Sequence, residues 1–122
     1  KAFHKGCNKY SGSWNFGPDP GKVYPVKTIV DKVVECWGCG QWHDTSKPND
    51  LHEAKLLQLD IAKARKEIKW EPALEVEESV SMTVDWYRYF NEQNGNMHEF
   101  SKSQIEGYCK KARTKMIEWA KV

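Results

Sequence analysis

The stretch PVKTIVDKVVECWG, residues 25–38, decides how the rest of the fold is built. Apolar residues recur in it at the i, i+3, i+4, i+7 spacing of one buried helix face, namely at Val26, Ile29, Val30, Val33, Val34 and Trp37. Pro25 suits the start of a helix, and Gly38 suits the left-handed residue that ends one. The stretch therefore predicts an amphipathic helix whose apolar face must be covered by other elements.

The end of this stretch also carries a Cys-x-x-Cys spacing, at Cys36 and Cys39. A structural zinc site needs four converging Cys or His ligands, and His43 and His52 do not form the usual second pair. A redox pair would sit at a helix N-terminus, where the dipole lowers the thiol pKa, whereas this pair follows a C-terminus. We predict a helix end and its turn, without metal.

Composition limits the class of protein. The chain has 122 residues, 39% hydrophobic and 30% charged, as expected for one soluble domain. It has neither a run of roughly 18 apolar residues nor a signal-peptide stretch, so we expect a cytoplasmic location and no membrane partner. A net charge of +2 is too small for a nucleic-acid footprint, and four scattered cysteines are too few for a secreted disulfide scaffold.

The remaining segments predict short strands and further helices. Residues 13–16 and 55–59 read as strands, with a Gly/Pro-rich loop at 17–21 and a polar loop at 41–53. Helices are predicted from 61 to about 69 after an Asp60 N-cap, from 76 to 90, and after a Ser101-x-x-Gln104 capping box. The fold class is α+β and mainly helical, a small lobe of about four helices with one or two short strands. The predicted core consists of Trp14, Ile29, Val33, Leu59, Val80 and Val84.

No catalytic motif is complete in the chain. It has no Walker loop, no H-E-x-x-H, no nucleophile elbow, no G-x-G-x-x-G and no Tyr followed four residues later by Lys. Several shorter cues nevertheless resemble the C-terminal substrate-binding region of extended short-chain dehydrogenase/reductases. They are Asn15-x-Gly17, a D-x-x-K/R-A helix at 60–64 followed by Trp-x-Pro at 70–72, and T-V-x-W-Y at 83–87.

A more specific cue is H-E-A-x-x-L-x-L-D at residues 52–60, which makes the chain look most like the CDP-glucose 4,6-dehydratases. The resemblance covers residues 13–90 and implies a sugar-nucleotide-binding lobe at 1–95, with a C-terminal extension helix at 96–122. Two positions depart from the family pattern, because Lys69 replaces its usual Gly and Leu56 its frequent Tyr.

The resemblance implies a complete enzyme that is an NAD-dependent lyase. In it, NAD takes a hydride from C4 of the sugar, water is lost across C5 and C6, and the hydride returns to C6. The residues for this chemistry belong to an NAD-binding Rossmann half that this sequence does not contain. We therefore expect no catalytic or cofactor-binding residue in the chain, no turnover by the chain alone, and a Rossmann domain or another subunit as partner.

The same resemblance implies that the lobe holds the nucleotide diphosphate of CDP-glucose or CDP. A pyrophosphate needs cations and donors on a loop carried by a rigid element, which Lys47, His52 and Lys55 can supply. Glu53 suits the cytosine amino group or a sugar hydroxyl, and Asn15 suits a phosphate contact or loop orientation. Solvated charges, a turn cap at His52 and a Glu53–Lys55 pair explain the same residues without a ligand.

Two other classes stay open at this level. One is a stand-alone interaction or oligomerisation module derived from such an enzyme. The other is a nucleic-acid or membrane-surface module that uses the basic residues of 102–121, although a solvated helix face explains those residues without any partner.

Overall fold

The computed structural model describes residues 10–45, 47, 59–92 and 95–121. Within these ranges the chain forms four α-helices and a 3-10 helix: α1 (Val26–Trp37), α2 (Ala62–Ile68), α3 (Val76–Asn91), α4 (Met97–Thr114) and η1 (Glu118–Ala120). The prediction of a mainly helical lobe with four helices is confirmed. None of the helices in the described ranges is long and apolar enough to cross a membrane.

No strand occurs among the described residues. The strand predicted at 13–16 is therefore not formed, and this segment packs on side chains instead. The ring of Phe16 meets that of Trp70 edge-on at a centroid distance of 4.9 Å. Polar and apolar side chains alternate in residues 13–16, but Phe16 packs against Trp70 without the segment pairing with a neighbouring strand. Of the strand predicted at 55–59, residues 55–58 lie outside the described residues, and Leu59 is not in a strand.

Helices α1 and α3 form the main helix pair of the fold. Helix α1 follows Pro25 and ends at Gly38, whose φ of 85° is left-handed and whose N–H donates to the Val34 carbonyl. The Arg88 side chain of α3 donates to the Cys36 carbonyl and lies over the Trp37 ring. The predicted bounds of both helices are confirmed to within a residue, because their apolar periodicity and end signals agree.

Helix α4 begins earlier than predicted. Asn96 is its N-cap and accepts a hydrogen bond of 3.0 Å from the backbone N–H of His98. Ser101 and Gln104 lie inside the helix, so the predicted capping box is wrong. Their side chains bond to α3 instead, since the Trp86 indole donates to Ser101 Oγ and Gln104 Nε2 donates to the Met82 carbonyl.

Helices α3 and α4 run antiparallel, as the order of their contacts shows. From the start of α3 to its end, the contacting pairs are Glu78–Lys111, Met82–Gln104, Trp86–Ser101 and Tyr89–Phe100. The last pair is stacked at 4.2 Å between ring centroids. The described part of the C-terminal extension therefore packs on the lobe, while the boundary near residue 95 stays a prediction.

The buried core of the described residues is small. Its members are Ile61, Ala64, Ala73, Val80, Val84, Ala112, Ile117 and Ala120. Of the predicted core, Val80 and Val84 are buried, whereas Val33 is 39% and Leu59 52% exposed. Trp14 and Ile29 are half-buried. No residue of α1 is buried, so the core prediction was wrong for this helix. The apolar periodicity identified the face of α1 that packs inward, but other elements cover that face only in part.

Candidate functional site

Asn15 lies in a segment that is held against α2. The Lys63 ammonium of α2 donates to the Ser13 carbonyl at 2.9 Å and lies 4.5 Å from the centre of the Trp14 ring. Asn15 itself is exposed. Asn15 is thus a polar, exposed side chain carried on an anchored segment, and its role as a ligand contact stays a prediction.

The Gly/Pro-rich loop at 17–21 is fixed beyond Asn15 by two ion pairs. Asp19 pairs with Arg65 of α2, and Lys22 pairs with Glu75 at the start of α3. The turn between them is closed by a hydrogen bond of 3.0 Å from the Lys22 N–H to the Asp19 carbonyl. The loop thus has a defined path although it contains no regular structure.

This loop approaches the chain just after the predicted substrate loop. A Cβ built on Gly17 would lie 3.5 Å from Leu59 Cβ and 3.6 Å from Ile61 Cγ2. Gly17 therefore lies beside Leu59, the first described residue after the predicted substrate loop. Of the predicted loop residues, Lys47 is exposed, whereas His52, Glu53 and Lys55 lie outside the described residues.

Two cations beside Asn15 were missed in the sequence reasoning. Lys63 and Arg65 belong to the run AKARKEI that forms α2, and both contact the 13–19 segment. The Nε of Arg65 is buried without a hydrogen-bond partner in the described structure. The sequence signal for them is the density of cations in this run, which the helix pattern alone does not single out.

Glu75 is the electrostatic centre of the junction between the 13–22 segment, α3 and α4. It pairs with Lys22 and, at 3.7 Å, with Lys115. The hydrogen bond and charge of Lys22, followed by the charge of Lys115, hold the pKa of this carboxyl below its ordinary value. The Glu75 N–H also donates to Glu78 Oε2 at 3.0 Å, which completes a capping box for α3.

The cysteines of the opening stretch occupy a helix end. Cys36 lies in the last turn of α1, and Cys39 is exposed just after Gly38. The following segment folds back on α1, where the Trp42 indole donates to Asp31 Oδ1 at 2.9 Å. No group of three or more His, Cys, Asp or Glu residues able to hold a metal occurs in the described ranges.

An open groove of about 530 Å³ lies between α3 and α4, with Gly107 in its wall. Tyr108 forms part of the same wall and stacks on Trp119 at 5.6 Å. Burial raises the pKa of the Tyr108 hydroxyl, and a hydrogen bond with Trp70 acts in the opposite direction. The phenol is therefore neutral at physiological pH and can act as a hydrogen-bonding group in the groove.

Comparison with known proteins finds one relationship. The chain is similar to CDP-glucose 4,6-dehydratase of Salmonella typhimurium. The two are 34% identical over 100 residues, which is 82% of this chain and 28% of the length of that protein. No family model matches the chain, and no solved structure matches it either.

This similarity shows a distant relationship to the dehydratase. It extends over more residues than the 13–90 span on which the resemblance was recognised. Because the chain spans little more than a quarter of the dehydratase, the activity of the whole relative does not pass to this chain directly. The region of the relative that is matched, and membership of the wider superfamily, stay predictions.

Proposed function

We propose that this chain forms a lobe that binds the nucleotide diphosphate of a CDP-sugar in a protein related to CDP-glucose 4,6-dehydratase. The observation that carries the proposal is the 34% identity to that enzyme over 100 residues. An NAD-binding Rossmann domain or another subunit would supply the cofactor, and the chain alone would not turn over CDP-glucose, because hydride transfer needs a bound nicotinamide.

The geometry supports a ligand contact at Asn15 and the loop that follows it. Lys63 holds Ser13 before Asn15, Arg65 holds the loop at Asp19, and the loop lies beside Leu59, the residue that follows the predicted substrate loop. Convergence of a rigid polar segment with a loop carrying Lys47 and His52 would place cations and donors around a diphosphate. Lys63 would add a further positive charge next to Asn15.

The experiment is a titration of isotope-labelled chain with CDP, CMP and CDP-glucose, followed by amide chemical shifts. We expect shifts clustered at 15–21 and 47–55, with a dissociation constant on the order of a millimolar, or about 4 kcal/mol of binding free energy. The affinity is modest because half a site makes fewer contacts and must order its loop. CDP should bind more tightly than CMP, since the second phosphate adds charge-assisted hydrogen bonds.

Variants separate this site from nonspecific attraction. Lys47→Ala and His52→Ala should each weaken CDP binding. Lys102→Ala is the matched control, because Lys102 lies on α4 in an exposed pair with Glu99 and should leave binding unchanged. No shifts at several millimolar CDP, or shifts confined to residues 102–121, would contradict the proposal.

An interaction or oligomerisation module is a second candidate, favoured by exposed apolar side chains. Tyr87, Phe90 and Ile105 are 58%, 60% and 62% exposed, a large amount of apolar surface for a chain with so small a core. If this module associates with itself, sedimentation should show a mass above 14.2 kDa that falls on dilution. A Phe90→Ser variant should then shift the chain towards monomer.

A further inference from the structure

The cations of the described chain divide into two groups by their partners. Most bond to a carboxylate, a carbonyl oxygen or an aromatic face, or have another interaction. Within the described ranges, five have no such side-chain interaction: Lys66, Lys69, Lys110, Arg113 and Lys121. They come from two separate stretches of the sequence, 66–69 and 110–121, so only the fold can bring cations of the two stretches together.

Three of the five line one pocket of the structure. Lys69, Arg113 and Lys121 line a pocket of about 590 Å³ that lies between the end of α2, the end of α4 and η1. Lys110 stands three residues before Arg113 on α4, which places these two on one face of that helix, and Lys66 lies in the last turn of α2 before its C-cap Lys69. We name this cavity the α2–α4 pocket.

Helix ends do not account for these charges. Cations near a helix C-terminus can bond its free carbonyls, but here the backbone already does so. Trp70 N–H donates to the Ala64 carbonyl at 3.2 Å, Met116 N–H to that of Arg113 at 2.9 Å, and Ile117 N–H to that of Ala112 at 3.0 Å. The ammonium and guanidinium donors therefore remain available to another acceptor.

The pocket wall also contains an enclosed donor. Trp119 forms part of the wall, and its indole N–H is buried without a hydrogen-bond acceptor in the described structure. A buried donor without a partner is rare, and an entering anion would bring oxygen acceptors close to it. Two carboxylates, Glu67 and Glu118, also line the pocket, and neither forms an ion pair with any of the five cations.

The backbone at Lys69 adds a further observation. Lys69 is the C-cap of α2 and has a φ of 56°, a left-handed conformation that glycine adopts without strain. A strained residue that could be replaced by glycine without loss of local structure suggests that its side chain is used. Here that side chain is an ammonium in the pocket wall.

We propose that the α2–α4 pocket binds a small diphosphate-bearing anion. Three lining cations, Lys69, Arg113 and Lys121, have no carboxylate partner, which favours a ligand with more than one negative charge. Arg113 can hold two phosphate oxygens through its planar fork. The pocket volume suits a small molecule, which favours this reading over a long polyanion lying across an open surface. Neither Asn15 nor Lys47 lines this pocket, so the proposal does not depend on the CDP-sugar site.

The test is calorimetric titration of the full chain with inorganic pyrophosphate at low salt, with amide shifts to locate the site. We expect saturable binding with shifts at 66–70, 109–113 and 118–121. Arg113→Gln should weaken binding about tenfold, the effect of losing one charge-assisted contact. Lys102→Gln, which removes a paired cation on the same helix, should leave the affinity within about twofold.

The Lys69→Gly variant distinguishes a loss of binding from a loss of folding. The substitution removes the ammonium and relieves the left-handed strain, so pyrophosphate binding should fall while the melting temperature rises. Absence of saturation at about ten millimolar pyrophosphate, or equal losses in Arg113→Gln and Lys102→Gln, would overturn the proposal. So would much tighter binding of a single-stranded oligonucleotide with a steep salt dependence, because that identifies an extended polyanion surface.

Discussion

Replacing Lys69 by glycine should stabilise this protein, although it deletes a whole side chain. Lys69 has φ 56° and ψ 30°, and its N–H donates to the Ala64 carbonyl, so it ends α2 in the left-handed conformation. That conformation costs a non-glycine residue about 1–2 kcal/mol. Glycine in turn lowers the free energy of unfolding by about 0.5–1 kcal/mol, because it gives the unfolded chain more conformational freedom. The expected net gain is about 0.5–1 kcal/mol.

The assay is urea and thermal unfolding of the wild type and two glycine variants. A gain of this size should raise the melting temperature by about 2–6 °C and move the urea midpoint upward without changing the slope. Lys66→Gly is the matched control, because Lys66 lies inside α2 in helical conformation, where glycine should cost about 1 kcal/mol. Opposite signs for the two variants are the prediction. Destabilisation by Lys69→Gly would refute the strain assigned to the cap.

Two further predictions concern α4 and α3. Gly107→Ala should stabilise the fold by about 0.5–1 kcal/mol in chemical denaturation, because Gly107 is inside α4 and an added Cβ would meet nothing within 4 Å. Destabilisation would mean that another group closes on that position. Glu75→Gln should lower stability at neutral pH, and the difference from wild type should shrink as pH falls below 4.5, since the lowered folded-state pKa stabilises only the ionised carboxyl. A difference that stays constant as pH falls below 4.5 would contradict the assigned cause.

Helices α1 and α3 could be predicted from the sequence because their signals are local. The Val26–Trp37 helix has apolar periodicity and a glycine at its end, and the structure places Gly38 in the left-handed conformation. Helix α3 likewise contains Val80 and Val84 one turn apart, and both are buried. In each case one short window contains all the information that the prediction uses.

The first residue of α4 could not be predicted from local sequence signals. Both Asn96 and Ser101 are acceptable N-caps in the sequence, and local rules do not rank them. The choice is made by tertiary contacts, because Ser101 and Gln104 bond to α3 only when the helix has already begun at Met97. The same reasoning applies to residues 13–16. Their alternating polar and apolar side chains are compatible with a strand and equally with an irregular segment in which Phe16 packs on Trp70.

The residues named for the candidate substrate site stay predictions, and the sequence and the structure draw attention to different ones. Asn15 was named because of its place before Gly17, and the structure puts it on an anchored segment. Lys63 and Arg65 were not named, because nothing in a helical run indicates which of its cations will face a distant loop. Their roles depend on how the 13–22 segment crosses α2, which is a property of packing.

The basic residues of α4 show why charge counting could not identify the second pocket. Counted along the sequence, Lys110, Lys111, Arg113 and Lys115 form one cluster in a chain of nearly balanced charge. The helix separates them onto different faces, and α3 neutralises one face, since Lys111 pairs with Glu78 and Lys115 contacts Glu75. Lys110 and Arg113 remain without carboxylates, and Arg113 lines the same pocket as Lys69 at the end of α2. The cations available to a ligand are therefore those that α3 leaves without a carboxylate. Rotating α4 by half a turn about its axis would instead pair Lys110 and Arg113 with α3 and leave Lys111 and Lys115 unpaired.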